Sequence, residues 1–348
     1  MSNANYFFDC QCIKKWSSII FTKVGLTSED ANILSDSLVL TSLWGIDSHG
    51  IARIPHYLKR ISLGSINISP NINFVQTSNS VGQLHGDNGH GIIIMHKATK
   101  YAINLASNSG VGIVGVSNSS HCGAIGLYTR KITENNMIGI AFTHSDALVV
   151  PYGGKQSFFG TNPISIAVPT DKVNEPICLD MATSVIPWNF VMNARRENTL
   201  ISPEYGVDVN GNAITDPNNI VALNSLAGYK GFGLAFLIDL LCGPLNGMQF
   251  GPHITPMYEK LYETRNLGSL IIAIDIKRFY GGGALKIISR RVINELKKQS
   301  EKIMYPGEPE YINFKERTNK GIPISISLLS EFEELSKSLQ VDFEFKKK

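Results

Sequence analysis

Apolar residues recur at intervals of three and four early in the chain. Ala31, Leu34 and Leu38 follow Thr27-Ser28-Glu29-Asp30, a hydroxyl-then-acid opening that predicts a helix start. Pro55 predicts the start of a second helix, because its fixed φ suits the first turn; Leu58 and Ile61 mark the buried face and Gly64 the stop. From about residue 70 the pattern changes. Short β-rich runs at 72–76, 81–84, 111–116, 137–142, 165–168, 177–179 and 270–274 predict strands. Helical stretches fall among them at 92–107, 125–134, 185–195, 232–241 and 285–298, with a final short helix at 327–339. Residues 306–323 are polar and punctuated by proline and glycine, and read as an ordered connecting segment. This mixture is α/β.

Composition narrows the reading. With 348 residues, 43% apolar and 18% charged, the chain is too apolar to be mainly disordered. A net charge of +3 gives no strong field for nucleic acid. Lys286, Arg290, Arg291, Lys297 and Lys298, and the terminal Lys346-Lys347-Lys348, read as solvated charge. Five cysteines, an odd number with only Cys10 and Cys12 close together, point to a reducing compartment. The first residues lack a basic stretch leading into an apolar core, so no signal peptide is expected. The greasiest run, 231–243, contains Asp239 and is too short to span a bilayer. A soluble, cytoplasmic protein without membrane partners is the expectation.

Several patches can carry chemistry, and one apparent fingerprint cannot. Gly110-Val-Gly-Ile-Val-Gly115 matches GxGxxG, and Glu134 stands where a ribose-binding acid would fall. That fingerprint must follow a strand and open a helix; here a helix precedes it and a strand follows, so a glycine-rich buried strand is the better account. Asp47-Ser48-His49-Gly50-Ile51-Ala52-Arg53 gathers an acid, a hydroxyl, an imidazole and a guanidinium at a helix–loop–helix junction, with Tyr57 four residues beyond Arg53. It can bind a carboxylate and move a proton, or serve as a polar capping cluster. Ser117-Asn118-Ser119-Ser120-His121-Cys122-Gly123 lies between a strand and a helix, where open α/β sheets take ligands, and imidazole suits acid/base work near neutral pH. Asp180-Met181-Ala182-Thr183-Ser184 occupies another strand end, and Gly228-Tyr229-Lys230-Gly231 sets a lysine at a helix start. No zinc-type spacing occurs, so no metal is expected.

DSHGIARIPHYL, SNSSHCGAIG, YGGKQSFFGTNPISIAVP, LDMATS, GYKGFGLAFLIDLLCGPLNG and YPGEPEY occur in this order. Together they resemble the type 2 malate/L-lactate dehydrogenase family, which includes ureidoglycolate, sulfolactate and diketogulonate oxidoreductases, over about residues 8–340. The resemblance implies a non-Rossmann, mixed-sheet dinucleotide-binding core, a homodimer, NAD or NADP as cofactor, no metal, and a small 2-hydroxy or 2-oxo acid as substrate. Residues 71–314 would form the core; the helical region 1–70 would pack with the C-terminal segment 315–348. It further implies His121 and His49 as acid/base candidates, and Ser48, Arg53 and Tyr57 as substrate contacts. Ser145, Asp180, Met181, Ala182, Lys230, Gly307, Glu308 and Pro309 would contact the cofactor. The family's Thr-Asn-Ser turn is Thr143-His144-Ser145 here, and the Trp188–Met192 stretch is bulkier than the family's pattern. Alternatives are a cyclic 2-imino acid reductase on the same scaffold and a catalytically silent metabolite-binding member.

Overall fold

The computed structural model describes residues 5–172, 175–345 and 348; Lys346 and Lys347 of the terminal basic run lie outside them. Strand β1 (Asn5–Phe8) leads into helices α1 (Cys10–Lys23) and α2 (Ser28–Leu43). Asp9 caps α1 by accepting from Gln11 N at 2.8 Å, and Thr27 caps α2 by accepting from Asp30 N at 3.2 Å. Helix α3 (Ile54–Ser62) carries Pro55 in its first turn. Then come β2 (Asn73–Gln76), β3 (Val81–His85), α4 (Gly91–Ser109), β4 (Val111–Ser119), α5 (Gly126–Thr133) and β5 (Met137–Thr143). They are followed by β6 (Ile164–Val168), β7 (Ile177–Met181), α6 (Trp188–Glu197), β8 (Gly206–Val207), β9 (Ala222–Leu223) and α7 (Tyr229–Cys242). Strand β10 (Leu267–Asp275), α8 (Gly282–Gln299), α9 (Glu308–Lys320), β11 (Ile322–Ser325) and α10 (Ile326–Leu339) complete the chain.

Seven strands form one sheet in the order β2-β3-β4-β10-β5-β6-β7. Only β3 and β4 run parallel; every other neighbouring pair is antiparallel, so the sheet is mixed. Helices α4 and α5 cover it. Ile94, Met95, Ala98, Ala102 and Ala106 of α4 and Tyr128 and Ile132 of α5 share a core with Val114, Val116, Ile271 and Ala273.

The glycines of the GxGxxG match are explained by packing. Gly110 ends α4 at φ +89°, a left-handed cap, and β4 starts at the next residue. A Cβ on Gly112 would lie 2.0 Å from the carbonyl oxygen of Ala102, so the strand backbone rests directly on α4. Glu134 pairs with Lys131 at 2.6 Å.

The first and last segments share a second core. Strand β1 pairs antiparallel with β11. Trp16 Nε1 donates to Ser336 Oγ at 2.7 Å, and its ring lies 4.7 Å from that of Phe332. Ile13, Ile20, Leu34, Leu38, Ile54, Ile322 and Ile324 fill the space between them.

One expectation fails. The polar stretch 306–323 is not a connecting segment but mostly the helix α9, which runs across position 315. Its proline sits in the first turn, where no N–H is missed, and its glycines lie outside at either end. None of its residues is fully buried, so no apolar stripe announced it. Elements β1, α1, β8, β9 and β11 have no counterpart among the expected ones, and α6 starts only after Pro187.

Candidate active site

The α2–α3 junction folds into two short 3-10 turns, Asp47–His49 and Ile51–Arg53. Asp47 is drawn outward by Arg317, whose Nη2 donates to Oδ2 at 3.0 Å and whose Nη1 donates to Ser42 O at 2.7 Å. Gly50 is required, since a Cβ there would sit 2.1 Å from Ser42 Oγ. With Asp47 taken, Arg53 turns elsewhere. Its Nε donates to Ser48 O at 2.5 Å and its Nη1 to the phenolic oxygen of Tyr258 at 2.8 Å. Both partners are neutral, so its charge has no counterion among these contacts.

His121 follows β4 and faces His49, their rings stacked 5.5 Å apart. Behind it, Tyr57 Oη lies 2.7 Å from His121 Nδ1, and Gly123 N donates to the same nitrogen at 3.3 Å. Ser48 Oγ holds His49 Nδ1 at 2.8 Å. Burial, with the Arg53 charge, pushes His49 down to about 3; burial, Arg53 and neighbouring rings hold His121 well below its ordinary range. Both rings are therefore neutral near pH 7.

Opposite, the end of β7 presents Asp180. Gly126 N, at the start of α5, donates to Asp180 Oδ2 at 2.7 Å. Burial nevertheless raises this carboxyl to about 6, opposed by that N–H and by Arg130. Arg130 lies 3.9 Å from Glu310. The turn after β5 carries Ser145, whose N–H donates to Asn162 Oδ1 at 3.1 Å and whose Oγ accepts from Thr161 N at 3.1 Å.

These parts enclose a cavity of about 340 Å³. Ser48, His49, Arg53, His121, Ser145, Asp180, Met181 and Ala182 all line it. Tyr57 does not; it is buried at 1% exposure and touches His121 instead. Lys230 is exposed in the first turn of α7, outside the lining. Gly307, Glu308 and Pro309 also stand outside: Glu308 binds Lys297 at 2.7 Å and accepts from Tyr305 N at 3.2 Å, while Glu310, one turn residue further, reaches the lining.

Sequence reasoning missed Asp146, Trp188, Asn189, Met257, Tyr258, Arg265 and Glu310. Trp188 and Asn189 lie in the bulkier stretch noted above. Arg265 and Asp146 form a buried ion pair, Nη2 to Oδ1 at 2.6 Å, across 119 residues of sequence. No local spacing could announce it.

The lining also suits one end of a dinucleotide. Ala124, Ile125, Pro163, Met181 and Ala182 offer an apolar wall, with the hydroxyls of Ser145 and Thr161 beside it. A planar, polar-edged nicotinamide needs such a wall, and Gly123, at φ +70°, keeps the chain thin there.

Known proteins resemble the chain over most of its length. The family model described as malate/L-lactate dehydrogenase matches residues 8–333. The malate/(S)-sulfolactate dehydrogenase of Methanothermus fervidus is 35% identical over 327 residues, covering 93% of this chain and 95% of the relative. The structure of malate dehydrogenase from Pyrococcus horikoshii OT3 superposes with a TM-score of 0.89 at 31% identity, covering 99% and 98% of the two chains. The Δ1-piperideine-2-carboxylate reductase of Pseudomonas syringae pvar. tomato superposes at 0.86 with 27% identity, covering 94% and 99%.

The buried histidines set a pH dependence of stability. Burial lowers His49, His90 and His144 to about 3 and His56 and His96 to about 4, and lowers His121 as well. Between the unfolded value of 6.5 and these folded values the unfolded chain binds more protons, so stability is lost as pH falls. Asp180 and Asp239, both raised to about 6, act the other way between 3.8 and 6. Six rings outweigh two carboxyls. The thermal unfolding midpoint is expected to drop between pH 7 and pH 5. A midpoint equal or higher at pH 5 would contradict this account.

Proposed function

The chain belongs to the malate/L-lactate dehydrogenase family, and from that premise we propose that it interconverts a small malate- or lactate-like 2-hydroxy acid and its 2-oxo acid with NAD or NADP. The observation that carries this reading is the placement of Arg53 and two neutral histidines, His49 and His121, around one cavity with apolar lining residues.

Bound nicotinamide would accept or supply the hydride. The protein supplies the rest. Arg53 clamps the substrate carboxylate through a fork of two parallel N–H donors, which fixes direction as well as charge. Ser48 orients His49. Tyr57 is a positioning residue that holds the His121 ring. In oxidation, the hydroxyl proton passes to the His49–His121 pair; in reduction, it returns to the carbonyl oxygen. Ile125, Pro163 and Met181 exclude water. Ser145, Asp180, Met181 and Ala182 would hold the nicotinamide end, and Lys230, Gly307, Glu308 and Pro309 would contact the remainder of the dinucleotide.

A second reading, reduction of a cyclic 2-imino acid, is favoured by the fold neighbour that is a piperideine-carboxylate reductase. It would use the same carboxylate clamp and the same proton donors. Assays of 2-oxo acids and of a cyclic 2-imino acid, each with NADH and NADPH, separate the two.

The protein works as a homodimer in a cytoplasmic compartment. Helix α7 is apolar on every side, a pattern that requires cover, yet Phe236, Leu237 and Leu240 are exposed with Leu245 beyond them. All five cysteines are free, and no helix among the described residues is long and apolar enough to cross a membrane.

Three outcomes test this reading. His121→Asn is expected to lower kcat by about 10²- to 10⁴-fold, the usual contribution of a general acid or base, with cofactor affinity retained. His49→Asn behaves likewise if it shares the proton, and full activity in both variants sinks the assignment. Arg53→Lys keeps the charge but loses the fork, so kcat/KM on the best 2-oxo acid should fall at least about tenfold; a value within twofold of wild type removes Arg53 from the clamp. Sedimentation at micromolar concentration should show a dimer that Leu237→Lys dissociates. A wild-type monomer there overturns the homodimer.

A further inference from the structure

A second cavity, of about 240 Å³, lies where α2, α5 and α9 meet. It shares no lining residue with the active-site cavity. Leu40, Trp44, Pro176 and Phe314 give it an apolar wall. Among the described residues its one lining cation is Arg130 of α5. That side chain is only 12% exposed. Its guanidinium carbon lies 4.7 Å from the centre of the Trp44 ring, so one face is spent on the indole. A guanidinium stacked by its face keeps its edge free, and the edge carries the N–H donors. None of these donors meets an acceptor among the described residues. The Glu310 carboxylate stands 3.9 Å away, beyond hydrogen-bond reach, and the same oxygen, Oε2, is buried without a partner of its own.

Neighbouring polar groups are provided for. Glu134 is held by Lys131 at 2.6 Å, and Tyr311 carries the Lys315 ammonium over its ring at 4.2 Å. The Trp44 carbonyl accepts from Asn313 Nδ2 at 3.3 Å. Arg130 is left with charge and donors to offer. Charge then decides the class of ligand. Arg130 and Lys131 are offset by Glu134 and Glu310, so the neighbourhood is close to neutral. A phosphate or other polyanion would meet both carboxylates without a second free cation. A single carboxylate needs only the Arg130 edge, whose parallel N–H donors match its two oxygens. The volume lies below the roughly 300–1,000 Å³ of pockets for drug-sized ligands, which limits the occupant to about one ring and one acid group.

We propose that this cavity is a second ligand site and that it takes a small aromatic monocarboxylic acid. The carboxylate lies in the plane of the Arg130 guanidinium, and the ring packs against Trp44, Phe314 and Leu40. Recognition of this kind does not depend on the oxidoreductase reading. Arg130 nevertheless joins the two cavities. Glu310 lines the active-site cavity, and the Arg130 charge lowers Asp180 there. A carboxylate on Arg130 cancels that charge, so Asp180 holds its proton to higher pH when the second cavity is filled.

Calorimetric titration of the full chain with benzoate, and with benzamide as its neutral counterpart, tests the site near neutral pH. Each titration is run with and without an excess of NADH and NADPH. Arg53 also receives carboxylates in the reading above, so two variants separate the sites. Benzoate is expected to bind at millimolar concentration, at least about tenfold more tightly than benzamide, whether or not dinucleotide is present. Arg130→Gln is expected to abolish that preference, and Arg53→Met to leave it. A wild-type benzoate-to-benzamide ratio within twofold overturns the site. So does benzoate affinity unchanged in folded Arg130→Gln. Complete displacement by dinucleotide also overturns it, and makes the cavity part of the dinucleotide's path. Should Arg130→Gln fail to fold, a crystal of the wild-type protein with 4-bromobenzoate decides. Bromine in the cavity between α2, α5 and α9 supports the site, and its absence there overturns it.

Discussion

Strand β10 enters the sheet from far downstream and forms antiparallel ladders with β4 on one side and β5 on the other. The walls of the cavity take their positions from those ladders. The strand β4 delivers His121 at its end, and β5 delivers Ser145 and Asp146. Their separation is one strand's width on each side of β10. The joint is reinforced by side chains: Ser269 Oγ donates to Thr143 Oγ1 at 2.9 Å, and Thr143 Oγ1 donates to Gly268 O at 3.2 Å. Gly268 has no alternative, since a Cβ there would lie 1.9 Å from the carbonyl oxygen of Cys242 at the end of α7. The same strand is preceded by Arg265, which reaches back to Asp146 beyond β5. Register in this ladder and charge placement in the cavity are therefore one constraint.

That constraint produces an electrostatic environment with opposed tendencies. Burial and the cationic surroundings keep two imidazoles neutral near pH 7. The same surroundings attract carboxylates. An anionic substrate would offset the guanidinium charge and so ease protonation of the rings beside it. Binding and proton transfer are coupled through charge, without any moving part. Tyr57 and Ser48 matter here because a neutral ring has one donor and one acceptor nitrogen, and the partner at Nδ1 decides which of them faces the cavity.

Much of this was legible in the sequence where the chemistry is local. Ser48, His49 and Arg53 lie within one junction, and His121 and Asp180 each close a strand, so short motifs carry them. The rejected GxGxxG match was also readable, because its order of helix, glycines and strand is wrong for a phosphate turn. Arg265, Asp146 and Tyr258 were not legible. Each is an ordinary polar residue in a loop, and its meaning comes from a partner far away in sequence. Helix α9 escaped for a different reason: it is held by ends and edges, such as Arg317 on Asp47 and Asn313 on the Trp44 carbonyl, rather than by a buried apolar stripe. Lys230 carries a third lesson, since its motif placed it by resemblance while the folded chain leaves it exposed at the start of α7 and outside the cavity lining.

His144 shows how a departure from the family's pattern is absorbed. It replaces the asparagine of the Thr-Asn-Ser turn, yet it points into the core, at 1% exposure, rather than toward the cavity. Its Nε2 accepts from Gly268 N at 2.9 Å, so the neutral ring carries its proton on Nδ1, 3.9 Å from Asp239 Oδ1. Asp239 in turn accepts from Asn162 Nδ2 at 3.1 Å and from Gly251 N at 3.1 Å. Asn162 Oδ1 then accepts from Ser145 N, which stands on the cavity wall. The substituted side chain thus bears on the site through β10 and through α7, not through contact. An imidazole here is tolerated because β10 offers it a backbone donor and α7 faces it with a carboxylate, so the turn keeps its shape and Ser145 its place.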